Sequence, residues 1–232
     1  MITSVLIGII VVCILVIIAR PRWYLKVKAC ICKPKFYYLD DFPEMQPFHD
    51  AFEDIRRECL AVTTKVNYDK PRSQRVWAGD HKDEAQEYLT KNKDMHGWMS
   101  AWAPGTDDGN SRWMNFPLLA LGHEFKNNLA ECPILAKLLH EHQDHINIAG
   151  FSKLMPYADI DPHVDSTGML WGTMAYHLGL VVPEKNKCVL DVDGDKIYHG
   201  EGESFLFEST YRHSAANNTY GDRIILYIEV KV

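Results

Sequence analysis

The sequence has no surplus of positive charge: 25 Lys and Arg stand against 31 Asp and Glu, giving a net charge of -6 and a pI near 6.0. A nucleic-acid binder needs a basic face for phosphates, so this balance argues against one. Cysteine is sparse, with six in 232 residues. A chain of this length holds a core without a disulfide scaffold, and reduced thiols are the expectation. No Cys-x-x-Cys pair occurs, and Cys30 and Cys32 lack a matching second half, which argues against a structural zinc site.

Charge is missing altogether from Ile2 to Ala19. Such a run is long enough to cross a bilayer core of about 30 Å as a helix. A signal peptide is the competing reading, but no Lys or Arg precedes the run, and ARPRW after it lacks small residues at a cleavage position. The expected organisation is a transmembrane anchor over residues 1–20, a basic juxtamembrane linker over 21–36 and a folded domain over 37–232. Arg20, Arg22, Lys26, Lys28, Lys33 and Lys35 follow the run, so the positive-inside rule predicts a single-pass membrane protein with its folded domain in the cytosol. The Asn217-Asn218-Thr219 sequon keeps a lumenal placement as the alternative. Cys30 and Cys32 are juxtamembrane thiols, open to palmitoylation or simply unmodified.

Beyond the linker, Phe48, Phe52, Ile55 and Cys59 recur at helical spacing with charges between them, which predicts a helix covering one side of a sheet. A further helix is expected near Lys82 to Leu89. The stretch HGWMSAWAPGTDDGNSRWMNFP, residues 96–117, reads as an aromatic-rich loop, either bordering an entrance or plugging the end of a barrel core. Pro133 opens a helix with Leu135, Leu138, Leu139 and His142 on one face. His140, His142 and His145 spread around it and are expected to be solvated or capping residues.

Short β-branched or aromatic runs follow at 146–154, 172–182, 188–192, 204–207 and 223–232. Asp193-Gly194 marks a hairpin turn better than it marks a calcium loop. Many short antiparallel strands after helices predict a mainly β fold, a double-sheet jelly roll flanked by helices.

The last third of the chain contains DPHVD, STYRHS and DRIILYIEV. In an extended segment, residues i and i+2 point to one side, so His163 and Asp165 can face one metal ion, with His213 arriving from a distant strand. Two imidazoles and one carboxylate that leave positions open suit a non-haem Fe(II) oxygenase. Arg223 opens an apolar strand, where it must reach solvent or meet an anion, because an unpaired buried charge is costly. A dicarboxylate would supply that anion in the bidentate manner suited to guanidinium. The plainer readings are a surface ion pair of Arg223 with Asp222 or Glu229 and, for His177, a satisfied core histidine.

The segment from Trp113 onward resembles the aspartyl/asparaginyl β-hydroxylase family of Fe(II)/2-oxoglutarate oxygenases through CPILAKLL, PHVD, YHLGLVVP, DGDKIYHGEGESFLFESTYRH and DRIILYIEV. It is most similar to the branch that hydroxylates a lipid A acyl chain. The resemblance implies a double-stranded β-helix, with His163, Asp165 and His213 as the iron ligands. It also implies Arg223 as the clamp on 2-oxoglutarate, and Ser152 and His177 as auxiliary co-substrate contacts.

Peptide-hydroxylating members carry glycine where Asp165 stands. Their arginines before the HLGL-type strand are replaced here by Gly172, Thr173, Met174 and Ala175. The expected function is a membrane-anchored Fe(II)/2-oxoglutarate-dependent dioxygenase that hydroxylates an unactivated C–H bond on a lipid acyl chain. The alternatives are a peptidyl aspartyl/asparaginyl β-hydroxylase and, from another class, a non-catalytic membrane-tethered jelly-roll binding module.

Overall fold

A computed structural model describes residues 33–63, 94–100, 112–165 and 172–232. The chain divides into two compact units, Met1–Lys35 and Phe36–Val232, and the elements below belong to the second. The expected anchor, Cys30 and Cys32, and the helix expected near Lys82 lie outside the described residues. Among the described residues no helix is long and apolar enough to cross a membrane.

In chain order the elements are β1 (Phe36–Tyr37), α1 (Gln46–Asp50), α2 (Phe52–Val62), β2 (Met99–Ser100), β3 (Trp113–Ala120), β4 (His123–Glu124), α3 (Lys126–Leu129) and α4 (Pro133–Glu141). Eight strands follow: β5 (Ile146–Leu154), β6 (Ala158–His163), β7 (Thr173–Val181), β8 (Cys188–Val192), β9 (Asp195–Tyr198), β10 (Ser204–Phe207), β11 (His213–Asn217) and β12 (Arg223–Lys231).

The helix expected to carry Phe48, Phe52, Ile55 and Cys59 is broken at Ala51 into α1 and α2, and the helix expected at Pro133 forms as α4. Ile55, Cys59 and Val62 of α2 are buried at helical spacing, as are Leu135 and Leu139 of α4. Pro133 sits in the first turn of α4, where its missing N–H costs nothing. The free N–H groups of Ile134 and Leu135 donate to the two oxygens of Glu58 on α2, at 2.7 and 3.0 Å. That carboxylate caps one helix from another and favours the positive end of its dipole. His140 and His145 are exposed, and His142 lies 5.7 Å from Phe48 ring to ring.

The larger sheet runs β1-β10-β7-β12-β5-β3-β2 with β4 on β3, and the smaller runs β6-β11-β8-β9. Strands β5 to β12 pass between the two sheets in jelly-roll order, four facing four, and all pairings are antiparallel. Alternation along the strands sorts the side chains. Ile224, Leu226, Ile228 and Val230 join a core with Phe48, Ile55 and Leu135 of the helices, as do Tyr176, Leu178 and Leu180 of β7. The intervening Arg223, Ile225, Tyr227, Ala175, His177 and Gly179 therefore occupy the opposite face, toward the smaller sheet.

Three further expectations change. Residues 113–117 are not loop but the start of β3, because Met114, Phe116 and Leu118 alternate into the same core. Trp98 is fully buried there and donates its indole N–H to the Val62 carbonyl at 2.8 Å, so it plugs the core and borders no entrance. Asn217 is fully buried, and its Nδ2 donates to the carbonyls of Leu154, Met155 and Gly221 at 2.9, 3.0 and 2.8 Å. A glycan would have to be built on that nitrogen, so the sequon is structural. The Asp193-Gly194 hairpin forms as expected, with φ values of 50 and 88° and the Gly194 N–H donating to Asp191 Oδ1 at 2.8 Å.

Candidate metal centre and anion pocket

His163 ends β6 and His213 begins β11, and the two are partners in the antiparallel register. Asp165 follows two residues after His163. One ligand atom from each of the three lies within 4.8 Å of the others. His163 Nε2 is 3.5 Å from Asp165 Oδ1, and His213 Nε2 is 3.7 Å from Asp165 Oδ2. Each imidazole is oriented by a carbonyl two residues upstream: His163 Nδ1 donates to Asp161 O at 2.7 Å and His213 Nδ1 to Tyr211 O at 2.9 Å. A carbonyl only accepts, so each neutral ring keeps its proton on Nδ1 and turns a bare Nε2 toward Asp165. Burial pushes the His213 pKa down, and neighbouring His163 adds to this, against the opposing pull of Asp165 and the Tyr211 carbonyl. The neutral form favoured by burial is the one that ligates.

Arg223, on the same inter-sheet face, is 2% exposed, and its Nε and Nη2 have no hydrogen-bond partner. Desolvation lowers its pKa to about 10, which leaves it a cation at neutral pH. It pairs with neither Asp222 nor Glu229. Glu229 instead accepts from Asn147 Nδ2 at 3.0 Å and the Tyr227 hydroxyl at 3.1 Å. Ser152 accepts from Trp113 Nε1 at 2.9 Å. His177 lies between Phe205, Phe207 and Tyr227 and meets His199 Nε2 through its Nδ1 at 3.1 Å.

The donor set fits an octahedral divalent ion bound on one face, as iron is in non-haem oxygenases. The orphaned guanidinium fits a carboxylate, since an uncompensated buried charge is otherwise expensive.

Residues 49–232 match the aspartyl/asparaginyl beta-hydroxylase family. The chain belongs to that family. Among relatives of this hydroxylase family, the ornithine lipid ester-linked acyl 2-hydroxylase of Rhizobium tropici is 31% identical over 121 residues, which cover 52% of this chain and 42% of that protein. Aspartate beta-hydroxylase domain-containing protein 2 of Xenopus tropicalis is 26% identical over 222 residues, covering 89% of this chain and 52% of that one. The uncharacterised protein L888 of Acanthamoeba polyphaga mimivirus is 26% identical over 204 residues, 84% and 70% of the two chains. The chain thus spans about half the length of two of these relatives or less. Among solved structures, a viral collagen prolyl hydroxylase of Paramecium Bursaria Chlorella virus-1 covers 52% of this chain and 80% of its own at 13% identity and a TM-score of 0.33. That distance carries no argument, and the jelly-roll assignment rests on the strand order.

The structure brings His163, Asp165 and His213 together and puts Ser152, His177 and Arg223 on one face of the larger sheet. Two inward-facing polar residues were not anticipated. Asn115 is fully buried with neither amide atom hydrogen-bonded. It is the lone polar residue in the run WMNFPLLA, a signal hidden by reading that run as loop. His199 follows β9 and belongs to no periodic pattern, so nothing in the sequence singled it out.

Proposed function

We propose that the protein is an Fe(II)/2-oxoglutarate-dependent hydroxylase acting on an unactivated C–H bond of a membrane acyl chain. The observation that carries the co-substrate is the buried, unpaired Arg223 in the same inter-sheet space as the His-Asp-His triad. When bound, iron and 2-oxoglutarate supply the oxidising chemistry: oxygen and 2-oxoglutarate are consumed, succinate and carbon dioxide form, and the substrate C–H becomes C–OH. His163, Asp165 and His213 hold one side of the metal and leave the other for reactants. Arg223 receives the far carboxylate of the co-substrate, with Ser152 and His177 beside it. The apolar strands and Phe205 and Phe207 keep water from the reacting atoms.

The preference for an acyl chain rests on where the charges lie. An aspartyl substrate needs a cation to meet it. Lys153 turns to the helix side, 4.5 Å above the Trp98 ring, Arg112 donates to the Pro156 carbonyl, and Arg212 is exposed. Thr173, in the stretch where the resembled peptide hydroxylases carry arginines, is directed at Glu229 at 3.5 Å. A carboxylate entering there would meet a carboxylate. The lipid substrate named for the Rhizobium relative agrees with this reading. A buried guanidinium would serve a non-catalytic carboxylate-binding module equally well; the His163, Asp165 and His213 group in the same space is what favours catalysis over binding alone.

The membrane supplies the substrate's location: residues 1–20 serve as the anchor, and the basic flank holds the domain at the cytosolic headgroups. Mass spectrometry of lipids and proteins from cells with and without the enzyme tests the substrate. An added oxygen on acyl chains is expected. If it falls on aspartate or asparagine residues while acyl chains stay unchanged, the peptidyl reading replaces this one.

A further inference from the structure

Two imidazoles stand behind the anion pocket, and the hydrogen-bond chemistry assigns their protons. The rings of His177 and His199 stack at 5.3 Å with 24° between planes. His199 Nδ1 faces the Cys188 carbonyl at 3.4 Å, and that carbonyl also accepts the His199 backbone N–H at 2.9 Å. Because the carbonyl only accepts, His199 Nδ1 carries the proton. Its Nε2, then bare, must accept from His177 Nδ1 at 3.1 Å. A neutral His177 with its proton on Nδ1 has nothing left on Nε2, which makes no hydrogen bond among the described residues.

The surroundings keep both rings neutral while the pocket is empty of anion. Burial acts first on each, and Arg223 on β12 opposes a second positive charge at either; His199 and His213 on β11 oppose one at His177 as well. Tyr227 from β12 and Phe205 and Phe207 from β10 pack on the His177 ring and bring no countercharge against it. A carboxylate on Arg223 shifts that balance. It offsets the Arg223 charge, which acts on His177 after burial and His199, and it presents an oxygen to a ring whose free edge is an acceptor.

We propose that His199 is a positioning residue that fixes His177 with a bare Nε2, so that the pocket takes up one solvent proton there as it binds a dicarboxylate. One N–H bond forms as hydronium or a buffer acid gives up its proton, no bond of the protein or the dicarboxylate breaks, and Arg223 and His177 then present two cations to the dicarboxylate. This proposal rests on the co-substrate reading above, and its tautomer half is testable apart from it.

Selective imidazole 15N spectra of the full-length, metal-free chain in detergent read the tautomer directly. A protonated Nδ1 and bare Nε2 on His177 are expected, and a proton on Nε2 overturns the proposal. Calorimetric titration of the manganese-loaded chain with 2-oxoglutarate, in buffers of different ionisation heat at pH 7, reads the proton. Uptake approaching one proton per 2-oxoglutarate is expected, with affinity weakening about tenfold per pH unit on the alkaline side. His199→Gln keeps a carbonyl that accepts from His177 Nδ1 and should preserve the uptake. His199→Phe removes the acceptor and should abolish it. No uptake in the parent chain, or equal uptake in His199→Phe, overturns the proposal. If 2-oxoglutarate does not bind at all, the functional reading fails while the 15N result still stands.

Discussion

Replacing His213 by alanine should abolish both iron loading and succinate formation. Of the three ligands it is the most buried, at 6% side-chain exposure against 29% for His163 and 22% for Asp165. Its Nε2 is also aimed by the Tyr211 carbonyl, which accepts from Nδ1 at 2.9 Å. The residual pair of one imidazole and one carboxylate is half-exposed, and the loss in affinity should exceed about a hundredfold, more than disturbing a ligand's outer hydrogen bond costs. Asp165→Ala should be milder and retain partial binding, because the resembling peptide hydroxylases carry glycine at this position. Metal content after dialysis against a fixed free-iron buffer, together with succinate release, checks the series. A His213→Ala protein with undiminished succinate production would remove the triad from the mechanism.

The second large effect separates the co-substrate from the metal. Arg223→Ala should weaken 2-oxoglutarate binding about a hundredfold, the worth of a desolvated charge-assisted pair, while iron affinity stays nearly unchanged. Arg223→Met should give the same loss of binding with a gain in stability of the ligand-free chain, since it fills the same space without an uncompensated charge. Calorimetric binding and denaturant midpoints measure the two halves. Equal 2-oxoglutarate constants for parent and Arg223→Ala would rule out the clamp.

The parts of this fold that were legible in the sequence are those where one physical signal dominates. The runs at 146–154 and 223–232 are apolar enough to be read as strands, and Ile55 and Cys59 mark a helix face by spacing, whereas the break at Ala51 that puts Phe48 on a helix of its own leaves no such signal. Asp193-Gly194 can do little except turn. Strands β6 and β11, which carry the metal ligands, were not delimited because ADIDPH and HSAAN have neither a long apolar run nor β-branched enrichment. Their pairing is imposed by the neighbouring strands. The triad was still legible, through the spacing of His163 to Asp165 and a later histidine. Asn115 and His199 were not, for each gains its meaning from partners 37 and 22 residues away in sequence, Ser152 across the β3–β5 ladder and His177 across the pocket. The sequon at Asn217 misled because a motif says nothing of burial.

The cross-strand pairing of His163 with His213 has one more consequence. An ion held between them bridges β6 and β11, and so fastens the smaller sheet, whose described residues contribute nothing to the helix-backed core of the larger one. Anything bound only by the folded chain shifts its folding equilibrium by mass action, by about 2.7 kcal/mol at a free concentration one hundred times Kd. Against a typical total of about 5–15 kcal/mol, that is a sizeable share. Metal supply would then govern how long the molecule survives proteolysis in the cell as well as how fast it turns over, and scarcity of the ion would lower the protein's abundance as well as its activity.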